Sequence, residues 1–579
     1  MDEGRENMNC YITELPDEII AVILNYSSCN DIISFGLTCK RFYNITFHDQ
    51  YLWKSKCIDA LPPPIFKTVE KQSDGNWLNE LKKFNKINKD VISELLSMSP
   101  KFYWRMNQLS IEDVKEFFKI ATNDQLSYFY TIHILQDIVR KAIKYLEQYV
   151  CERPYTLTDM HYAKGTLRFL FHTYLTIKWV KLQMAQELMP EIVINFFVQW
   201  IDPANLYLDE NVNDALNDIV ENVKDSIREA RARKPPPPGW KKVTDREVLT
   251  AMSRVLFGQK RIAITPAADL DTLNIVKVLK TKCGNAIVMA AIYQAVARKC
   301  GVKLELIAFP NHLFLEWLDD TDPHNVLLFT ISLETGELQP KRRCPFSSST
   351  QRSNYSYCPD SLLQYVYSSY LITMGAIRNW NTQNALHLLN FLGTSQNHQN
   401  PYKNFFTYLI EHQGLSSYYT TLDIKYLDPI YRQVIISLST LNKPVESANH
   451  NFVFKKHDNN VLFAVGMICY HKKYDYICII RGWDLTGDHV HIPVDDLYFG
   501  RKQPFYRVTA ADQSERYVAQ ENLIELTHPS RLYHLEDQIS KEFSHFDGFA
   551  YVLNNEKKIE YPTEAPIIEM YRSRSLIRH

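Results

Sequence analysis

The sequence predicts a multidomain α+β protein: an N-terminal helical module, helical middle segments, a mixed helix and strand region, and a small C-terminal β-barrel-like domain. Three observations support this prediction. The chain has 579 residues, which is too many for one hydrophobic core. Stretches that disfavour regular structure interrupt it at 61–64, 234–240 and 443–451. Beyond the last of these, the apolar residues change from helical spacing to the alternation of short strands.

Composition excludes several classes of function. The 65 Lys and Arg residues balance the 66 Asp and Glu residues, so no overall charge attracts nucleic acid or an anionic membrane. The 11 cysteines show neither Cys-x-x-Cys pairs nor metal-like spacing, which indicates free thiols and no metal or cofactor. The N-terminus is polar, and the longest apolar run, 286–297, is too short to cross a bilayer. We expect a protein of the cytoplasm, the nucleus or both, not a secreted one.

Residues 11–57 are predicted to form a small helical module. Pro16 suits the first turn of a helix, and the acidic residues after it lie at the positive end of the helix dipole. Asn30 or Asp31 is expected to cap a second helix. A module of this size cannot bury all its large apolar side chains, so a partner surface is a natural use for the excess.

This module closely resembles an F-box. The matching residues are Leu15, Pro16, Glu18, Ile19, Ile20, Ile23, Leu24, Asp31, Cys39, Lys40, Leu52 and Trp53. The resemblance implies docking onto the Skp adaptor of a cullin–RING ubiquitin ligase. The residues that it assigns to the adaptor contact are Leu15, Pro16, Ile19, Ile20, Ile23, Leu24 and Trp53.

Two further segments, 65–233 and 358–445, are predicted to be helical. In both, apolar residues recur every three or four positions. No short-period repeat with a recognisable signature is present, so these segments indicate helical packing without a specific function.

The region 240–342 mixes helix and strand and carries a candidate pair for nucleophilic catalysis. Cys283 precedes a predicted helix that Asn285 can cap and Gly301 can end. A cysteine near a helix N-terminus can have a lowered pKa, and His312, at the start of a strand, could act as its base. The residues alone therefore allow a Cys–His transglutaminase or protease.

The same region resembles the transglutaminase-like domain of the bacterial SirB family. The match consists of Gly284, Ile287, Tyr293, Val296, Ala297, Gly301, Phe309, Pro310 and His312. One departure concerns the nucleophile. The helix-start position that carries it in true transglutaminases is occupied here by Ala286, Ile287 or Val288, and none of these is a cysteine.

A second departure concerns the carboxylate that would orient the histidine. The strand predicted at 330–338 lacks an aspartate, and Asp322 stands in a turn before it. Losing one member of a catalytic triad removes most of its rate enhancement. The resemblance therefore implies a binding domain without intrinsic catalysis. We assign no catalytic residue, and Cys283 and His312 remain candidates for a degenerate site only.

The C-terminal region, 452–562, is predicted to be a small β domain. Strands end near a turn at 471–476 and at Asp484, and a hairpin turns through 510–514. It resembles the YccV/HspQ family, whose bacterial members are described both as hemimethylated-DNA-binding proteins and as specificity factors in proteolysis. The matching residues are Val465, Gly466, His471, Tyr476, Ile480, Gly482, Trp483, Asp484, Gln503, Pro504, Phe505, Tyr506, Val508, Tyr517, Val518, Ala519, Gln520, Glu521, Asn522, Leu523, Tyr561 and Pro562.

The charge of this domain disfavours nucleic acid as its partner. Between residues 458 and 562 there are 11 Lys and Arg residues against 16 Asp and Glu residues, a net charge of −5. Phosphate contacts supply most non-specific affinity for DNA, and this domain has no surplus of cations to make them. A local patch of Lys472, Lys473, Arg501 and Lys502 keeps DNA binding open, but protein recognition is the favoured interpretation.

The order of these domains resembles that of a group of multidomain F-box proteins. It implies a substrate-recognition subunit of an SCF (Skp–cullin–F-box) E3 ubiquitin ligase, which brings target proteins to the E2 for ubiquitination and degradation. Such a receptor works by proximity and needs no nucleophile of its own. Two alternatives remain: a Cys283/His312 transglutaminase- or protease-like enzyme, and a DNA-binding factor built on the C-terminal domain.

Overall fold

Helices dominate the N-terminal part of the chain because apolar residues recur there at helical spacing. The structure is a computed structural model, and it describes residues 11–105, 109, 111–146, 155–205, 208–235, 242–309, 312–319, 327–340, 358–375, 379–393, 454–487 and 497–577. The described residues fall into two units, one up to residue 166 and the other from residue 167 onward. Each unit is described by itself.

The N-terminal module is made of four short helices. They are α1 (Asp17–Asn25), α2 (Cys29–Gly36), α3 (Lys40–His48) and α4 (Gln50–Ala60). The expected cap of α2 is wrong, because Ser28 and not Asn30 or Asp31 is its N-cap. The Ser28 backbone is extended, and its hydroxyl oxygen accepts from the Asp31 N–H at 3.2 Å. Asp31 lies one turn inside the helix, and its carboxylate accepts from the Ser28 hydroxyl at 2.6 Å.

The prolines at 62–64 separate the module from the helices that follow, because proline fits the first turn of a helix better than its interior. These helices are α5 (Pro63–Gln72), α6 (Trp77–Phe102), α7 (Lys115–Ala121), α8 (Gln125–Leu146) and α9 (Leu157–Met184). In α6, Ile87, Val91 and Leu95 recur every four residues and are buried, and the helix packs against α4 and α8.

Several helices of the second unit pack around one that is buried at all but one of its residues. The further helices of this unit are α10 (Pro190–Ile201), α11 (Leu208–Arg233), α12 (Asp245–Ser253), α13 (Leu270–Leu273), α14 (Ile275–Thr281), α15 (Ala286–Lys299), α16 (Pro359–Met374) and α17 (Trp380–Gly393). Helix α10 packs among α11, α15, α16 and α17, and its buried polar residues Glu191, Asn195 and Gln199 recur every four positions along one side. Asn384 of α17 ties the end of α10, since its side-chain amide donates to the Ile201 carbonyl at 2.9 Å.

Two sheets accompany these helices. Their strands are β1 (Ala263–Thr265), β2 (Cys283–Asn285), β3 (Glu305–Phe309), β4 (His312–Asp319), β5 (Leu327–Ile331) and β6 (Leu338–Pro340). Strands β1 and β2 pair in parallel, and β3 to β6 form an antiparallel sheet in chain order. Helix α15 packs on β3 and β4, so the predicted helix and the strand that His312 begins are confirmed, whereas residues 310–311 lie outside the described residues.

The C-terminal domain is a β domain with short helices at its end. Its elements are β7 (Ile468–His471), β8 (Tyr476–Asp484), β9 (Phe505–Ala510), β10 (Glu515–Ala519), β11 (Leu523–Glu525), α18 (Glu536–Ile539), β12 (Phe543–Phe546), β13 (Tyr551–Leu553), α19 (Asn555–Glu560) and α20 (Ala565–Ile577). Five strands form an antiparallel sheet in the order β10-β9-β8-β7-β11, and β12 pairs with β13. The predicted hairpin between β9 and β10 is confirmed.

Helix α20 lies beyond residue 562, where the sequence-based boundary ended the domain. Its Tyr571 is buried and packs against Phe463, with ring centroids 6.1 Å apart. None of the helices in the described ranges has both the length and the hydropathy needed to cross a lipid bilayer.

Candidate functional site

An uncovered apolar stripe runs along α1. Ile19, Val22, Ile23 and the C-cap residue Tyr26 lie at positions i, i+3, i+4 and i+7, so they share one face of the helix. Their exposed fractions are 47%, 56%, 44% and 89%. Ile20 and Leu24, on the other face, are buried in the module. Exposed apolar side chains that share one face, beside a buried core, are a feature of surfaces that contact other molecules.

The segment that leads into α1 is held by Arg41 of α3. The Arg41 guanidinium donates to the Leu15 carbonyl at 2.6 Å and to the Thr13 carbonyl, and it forms an ion pair with Asp17 at 2.6 Å. Leu15 is half-buried and Pro16 is exposed. Arg41 therefore fixes these two residues at the N-terminal end of the apolar stripe. The sequence-based prediction did not include Arg41, although it directly follows the matching pair Cys39 and Lys40.

Burial divides the residues that the sequence assigned to the adaptor contact. Ile20, Leu24 and Trp53 lie in the interior of the module, and the Trp53 indole N–H donates to the Thr46 carbonyl at 2.7 Å. These three side chains complete the core of the module. The adaptor contact predicted for all seven residues stays a prediction.

The start of α15 is closed by an asparagine. The Asn285 side chain accepts from the Ile287 N–H at 3.1 Å, and its amide donates to the Ala267 carbonyl at 3.0 Å. This confirms the predicted cap. The first helical residues are Ala286, Ile287 and Val288, so no thiol lies at the position where a transglutaminase nucleophile is expected.

The structure places the two candidates for a degenerate site on different strands. Cys283 lies on β2, is half-buried, and pairs through its backbone with Ala263. His312 begins β4, and its side chain lies outside the described residues. Asp322 also falls outside them. A catalytic or degenerate Cys283–His312 site therefore stays a hypothesis.

Two glycines of the YccV-like motif allow close approach between strands. Gly466 has a φ of +95°, and a Cβ atom there would lie 2.1 Å from the Tyr551 carbonyl oxygen. At Gly482 a Cβ atom would lie 2.7 Å from the Tyr561 hydroxyl. Both positions require glycine for packing, so neither by itself indicates a ligand.

Glu564 connects several parts of the C-terminal domain from its interior. Its carboxylate accepts from the Val465 N–H at 2.6 Å and from the Trp483 indole N–H at 3.2 Å, and it lies 3.1 Å from the His457 ring. Burial lowers the pKa of His457, but the hydrogen bond and charge of Glu564 outweigh it and raise that pKa. The motif residue Trp483 is thus part of an internal network that also joins the start of α20.

The neighbouring motif residues are also engaged within the domain. Asp484 accepts from the ammonium of Lys455 and from the Tyr517 hydroxyl. Burial raises the pKa of Asp484, yet the hydrogen bond from Lys455 and its charge outweigh burial, and the net shift is downward. Phe505 stacks on Tyr517, with ring centroids 5.3 Å apart. These contacts hold β8, β9 and β10 together.

The motif residues near the end of β10 fix loops. Gln520 accepts from the Tyr506 hydroxyl at 2.6 Å and donates to the Asn460 carbonyl at 3.0 Å. The Glu521 carboxylate accepts from two backbone N–H groups of a turn that begins at residue 497. The carbonyl of Asn522 accepts from the Lys472 N–H at 2.8 Å.

His471 holds the next turn of the same end of the domain. Its Nδ1 accepts from the Tyr474 N–H at 3.2 Å, which requires a neutral ring with no proton on that atom. Burial lowers the pKa of His471, and the nearby charges of Arg516 and Lys473 lower it further. The motif residues therefore form an internal frame: they hold the strands and turns of the domain together. This frame in turn positions the side chains that are exposed on the surface.

Comparison with known families agrees with this architecture. The F-box-like family matches residues 12–59, the very segment that carries the α1 stripe. The chain carries an F-box. The transglutaminase-like superfamily matches residues 210–344, and the family described as hemimethylated DNA-binding protein YccV like matches residues 461–549. The predicted F-box, transglutaminase-like and YccV-like domains are therefore confirmed, in the predicted order.

Similarity to other F-box proteins extends along almost the whole chain. F-box only protein 21 of Mus musculus is 23% identical over an alignment of 612 positions, which covers 96% of this chain and 93% of that protein. F-box only protein 21 of Homo sapiens is 24% identical over an alignment of 610 positions, which covers 97% of this chain and 93% of that protein. No solved structure matches this chain.

The transglutaminase-like match begins at residue 210, inside α11 and ahead of the predicted start at residue 240. Helix α11 packs on α12, α14 and α15.

Proposed function

We propose that this F-box protein is the substrate-recognition subunit of an SCF E3 ubiquitin ligase. The F-box would dock on the Skp adaptor and through it on the cullin, and the other domains would hold target proteins for ubiquitination and degradation. The full-length similarity to F-box proteins supports this proposal. In this role the protein would act in the cytoplasm, the nucleus or both, where ubiquitin ligases of this type act.

The observation that carries the proposal is the apolar stripe on α1. Its four side chains remain exposed although Ile20 and Leu24, on the same helix, complete the module's interior. Covering such side chains with a partner stabilises a complex by roughly 25 cal/mol for each Å² of apolar surface removed from water. The clamp of Arg41 on Leu15 adds preorganisation, because the segment before α1 need not be ordered on binding.

The receptor would need no catalytic group of its own. A target bound to the ligase meets the E2 thioester at a high effective concentration, and this proximity replaces a nucleophile on the receptor. The capped, thiol-free start of α15 supports a binding role for the transglutaminase-like domain. Nucleic acid is the less favoured ligand of the YccV-like domain.

The test is binding of the purified chain to purified Skp adaptor, followed by recovery of cullin from cells. The variant is Ile19→Asp/Ile23→Asp, which places two charges on the stripe. Its matched control is Leu96→Asp on α6, an exposed leucine of the same unit. We expect the double variant to lose adaptor and cullin while the control keeps both. Adaptor binding that survives the double variant, or is absent from the wild type, refutes the proposal.

The enzyme alternative has a separate test. Cys283→Ser and His312→Ala variants are assayed for ubiquitination of proteins that co-purify with the wild-type chain. We expect both variants to support the same ubiquitination as the wild type. The wild type and both variants are also assayed for a covalent thioester adduct and for amide transfer. If the wild type shows either one and both variants lose it, the chain is a Cys–His enzyme.

A further inference from the structure

Three turns meet at one end of the C-terminal β domain. The first, 472–475, joins β7 to β8, the second, 497–503, precedes β9, and the third, 520–522, precedes β11. The Lys472 ammonium donates to the Glu521 carbonyl at 2.8 Å. The Glu521 carboxylate accepts from the N–H groups of Tyr498 and Phe499 at 2.9 and 3.0 Å. Glu521 therefore brings the first two turns to the same place.

The turn 497–503 is held in one conformation by a glutamine. The Gln503 side chain is buried, accepts from the Glu521 N–H at 3.0 Å, and donates to the Gly500 carbonyl at 3.0 Å. The Glu521 carboxylate thus holds the start of this turn, at Tyr498 and Phe499, and Gln503 holds its end. A surface ordered in advance loses less entropy when it binds a partner.

This ordered end displays aromatic rings beside cations. Tyr498 is 90% exposed, Tyr474 is 63% exposed and Phe499 is 59% exposed. Lys472 and Lys502 are exposed next to them in sequence. Exposed aromatic residues are the side chains that most often anchor protein partners, and the lysines add attraction for an acidic one. We name Lys472, Lys473, Tyr474, Tyr498, Phe499 and Lys502 the basic–aromatic end.

The four cations of these three turns, Lys472, Lys473, Arg501 and Lys502, outnumber their two carboxylates, Asp475 and Glu521. Glu521 accepts from two backbone N–H groups and points into its turn, and Asp475 accepts from the Tyr470 hydroxyl. The domain as a whole nevertheless carries a net charge of −5 between residues 458 and 562. A long polyanion such as DNA would meet this negative charge, whereas a short peptide meets only the basic–aromatic end.

We propose that the basic–aromatic end binds a short acidic peptide segment of a partner protein that carries an apolar side chain. The acidic residues would face Lys472 and Lys502, and the apolar side chain would lie against Tyr498 and Phe499. This inference rests on the proposed function for its biological meaning, because such a peptide is then the recognition signal of a ligase target. The binding itself needs no adaptor.

The experiment uses the full chain and a phage-displayed library of random dodecapeptides. The library is selected on the wild type after depletion on the Lys472→Glu/Lys502→Glu variant. We expect enrichment of peptides rich in Asp and Glu around an apolar residue. A library without enrichment, or one whose enriched peptides lack acidic residues, overturns the proposal.

The best peptide is then measured by fluorescence anisotropy against single variants. Tyr498→Ala should weaken its binding about tenfold. Tyr533→Ala and Lys558→Glu are matched controls, since both positions are exposed in the same domain outside the basic–aromatic end, and they should leave affinity unchanged. An equal loss in the controls, or a single-stranded DNA that binds more tightly and is lost in the lysine variant, refutes a peptide site.

Adaptor binding measured on the same variants separates the two proposals. All variants of the basic–aromatic end should bind the Skp adaptor as the wild type does. If the peptide binds and the adaptor does not, the ligase proposal fails and the peptide site stands. If the adaptor binds and no peptide is enriched, the ligase proposal stands and the peptide site fails.

Discussion

The F-box and the YccV-like domain use their family motifs in opposite ways. In α1 of the F-box, motif residues alternate between the interior, as at Ile20, and the exposed stripe, as at Ile23. In the YccV-like domain, Trp483 and Tyr506 are buried and hydrogen-bonded inside the domain. The F-box motif therefore includes exposed residues of the stripe, whereas these residues of the YccV-like motif form the frame in the interior of their domain.

This difference predicts which variants lose stability and which lose binding. Removing a frame residue should destabilise the domain that contains it, and removing a surface residue should weaken a complex while stability stays unchanged. The largest expected effect is at Trp483. Trp483→Ala should lower the unfolding free energy of the C-terminal domain by about 4 kcal/mol, because a large buried ring and its bond to Glu564 are lost. Faster hydrogen exchange of the β8 amides measures this loss, and adaptor binding should not change.

The ion pair between Arg481 and Glu542 gives the next largest effect. Burial alone would raise the pKa of Glu542, but the charges of Lys557 and Arg481 outweigh it and lower that pKa from 4.5 to about 2. The unfolded chain then binds more protons than the native one, so this stabilisation is complete above pH 4.5 and is lost as pH falls toward 2. The loss amounts to about 3 kcal/mol.

Urea unfolding at a series of pH values checks the contribution of Glu542. The wild-type C-terminal domain should lose stability steeply over that acid range, and Glu542→Gln should flatten the slope because it removes the titrating group. A slope that is unchanged in the variant would show that another carboxylate carries the acid sensitivity.

A pair of variants on one helix tests the F-box half of the comparison. Ile23→Ala should leave the unfolding free energy within about 0.5 kcal/mol of the wild type. It should weaken adaptor binding by about 2 kcal/mol, roughly 30-fold. Ile20→Ala, three residues away and buried, should instead destabilise the module by about 3 kcal/mol. Calorimetric titration with the adaptor and thermal unfolding separate the two, and equal behaviour of both variants contradicts the division into stripe and interior.

The smallest expected effect is at Arg41. Arg41→Ala releases the carbonyls of Thr13 and Leu15, so the segment before α1 must be ordered on binding. Adaptor affinity should fall by about 1 kcal/mol, roughly fivefold. Arg41→Lys keeps the charge but not the fork of donors and should recover only part of the loss. If Arg41→Lys binds as tightly as the wild type, charge and not the positioning of Leu15 is what matters.

Local sequence patterns predicted the elements whose causes are local. The cap at Asn285, the hairpin between β9 and β10, and the helical spacing of α6 follow from residues a few positions apart. The cap of α2 was assigned wrongly because Ser28, Asn30 and Asp31 are all good capping residues, and only the backbone shows which of them is extended.

Tertiary contacts could not be predicted in this way. Glu564 and Trp483 lie 81 positions apart, and nothing in either segment indicates that a carboxylate joins them. The F-box motif likewise identifies its residues but does not tell Ile20 from Ile23, because both are aliphatic and only packing against α3 and α4 decides which is covered. Even where the family resemblance is strong, only the structure therefore shows which motif residues are buried and which are exposed.

The exposed stripe on α1 also bears on how long the chain persists in a cell. Chaperones and degradation enzymes survey newly made proteins for uncovered aliphatic and aromatic side chains, and Tyr26 with its neighbours presents such a surface on an otherwise complete fold. A protein that covers this helix also shields it from that surveillance. The abundance of the chain should then follow the supply of its partner, with surplus copies removed first.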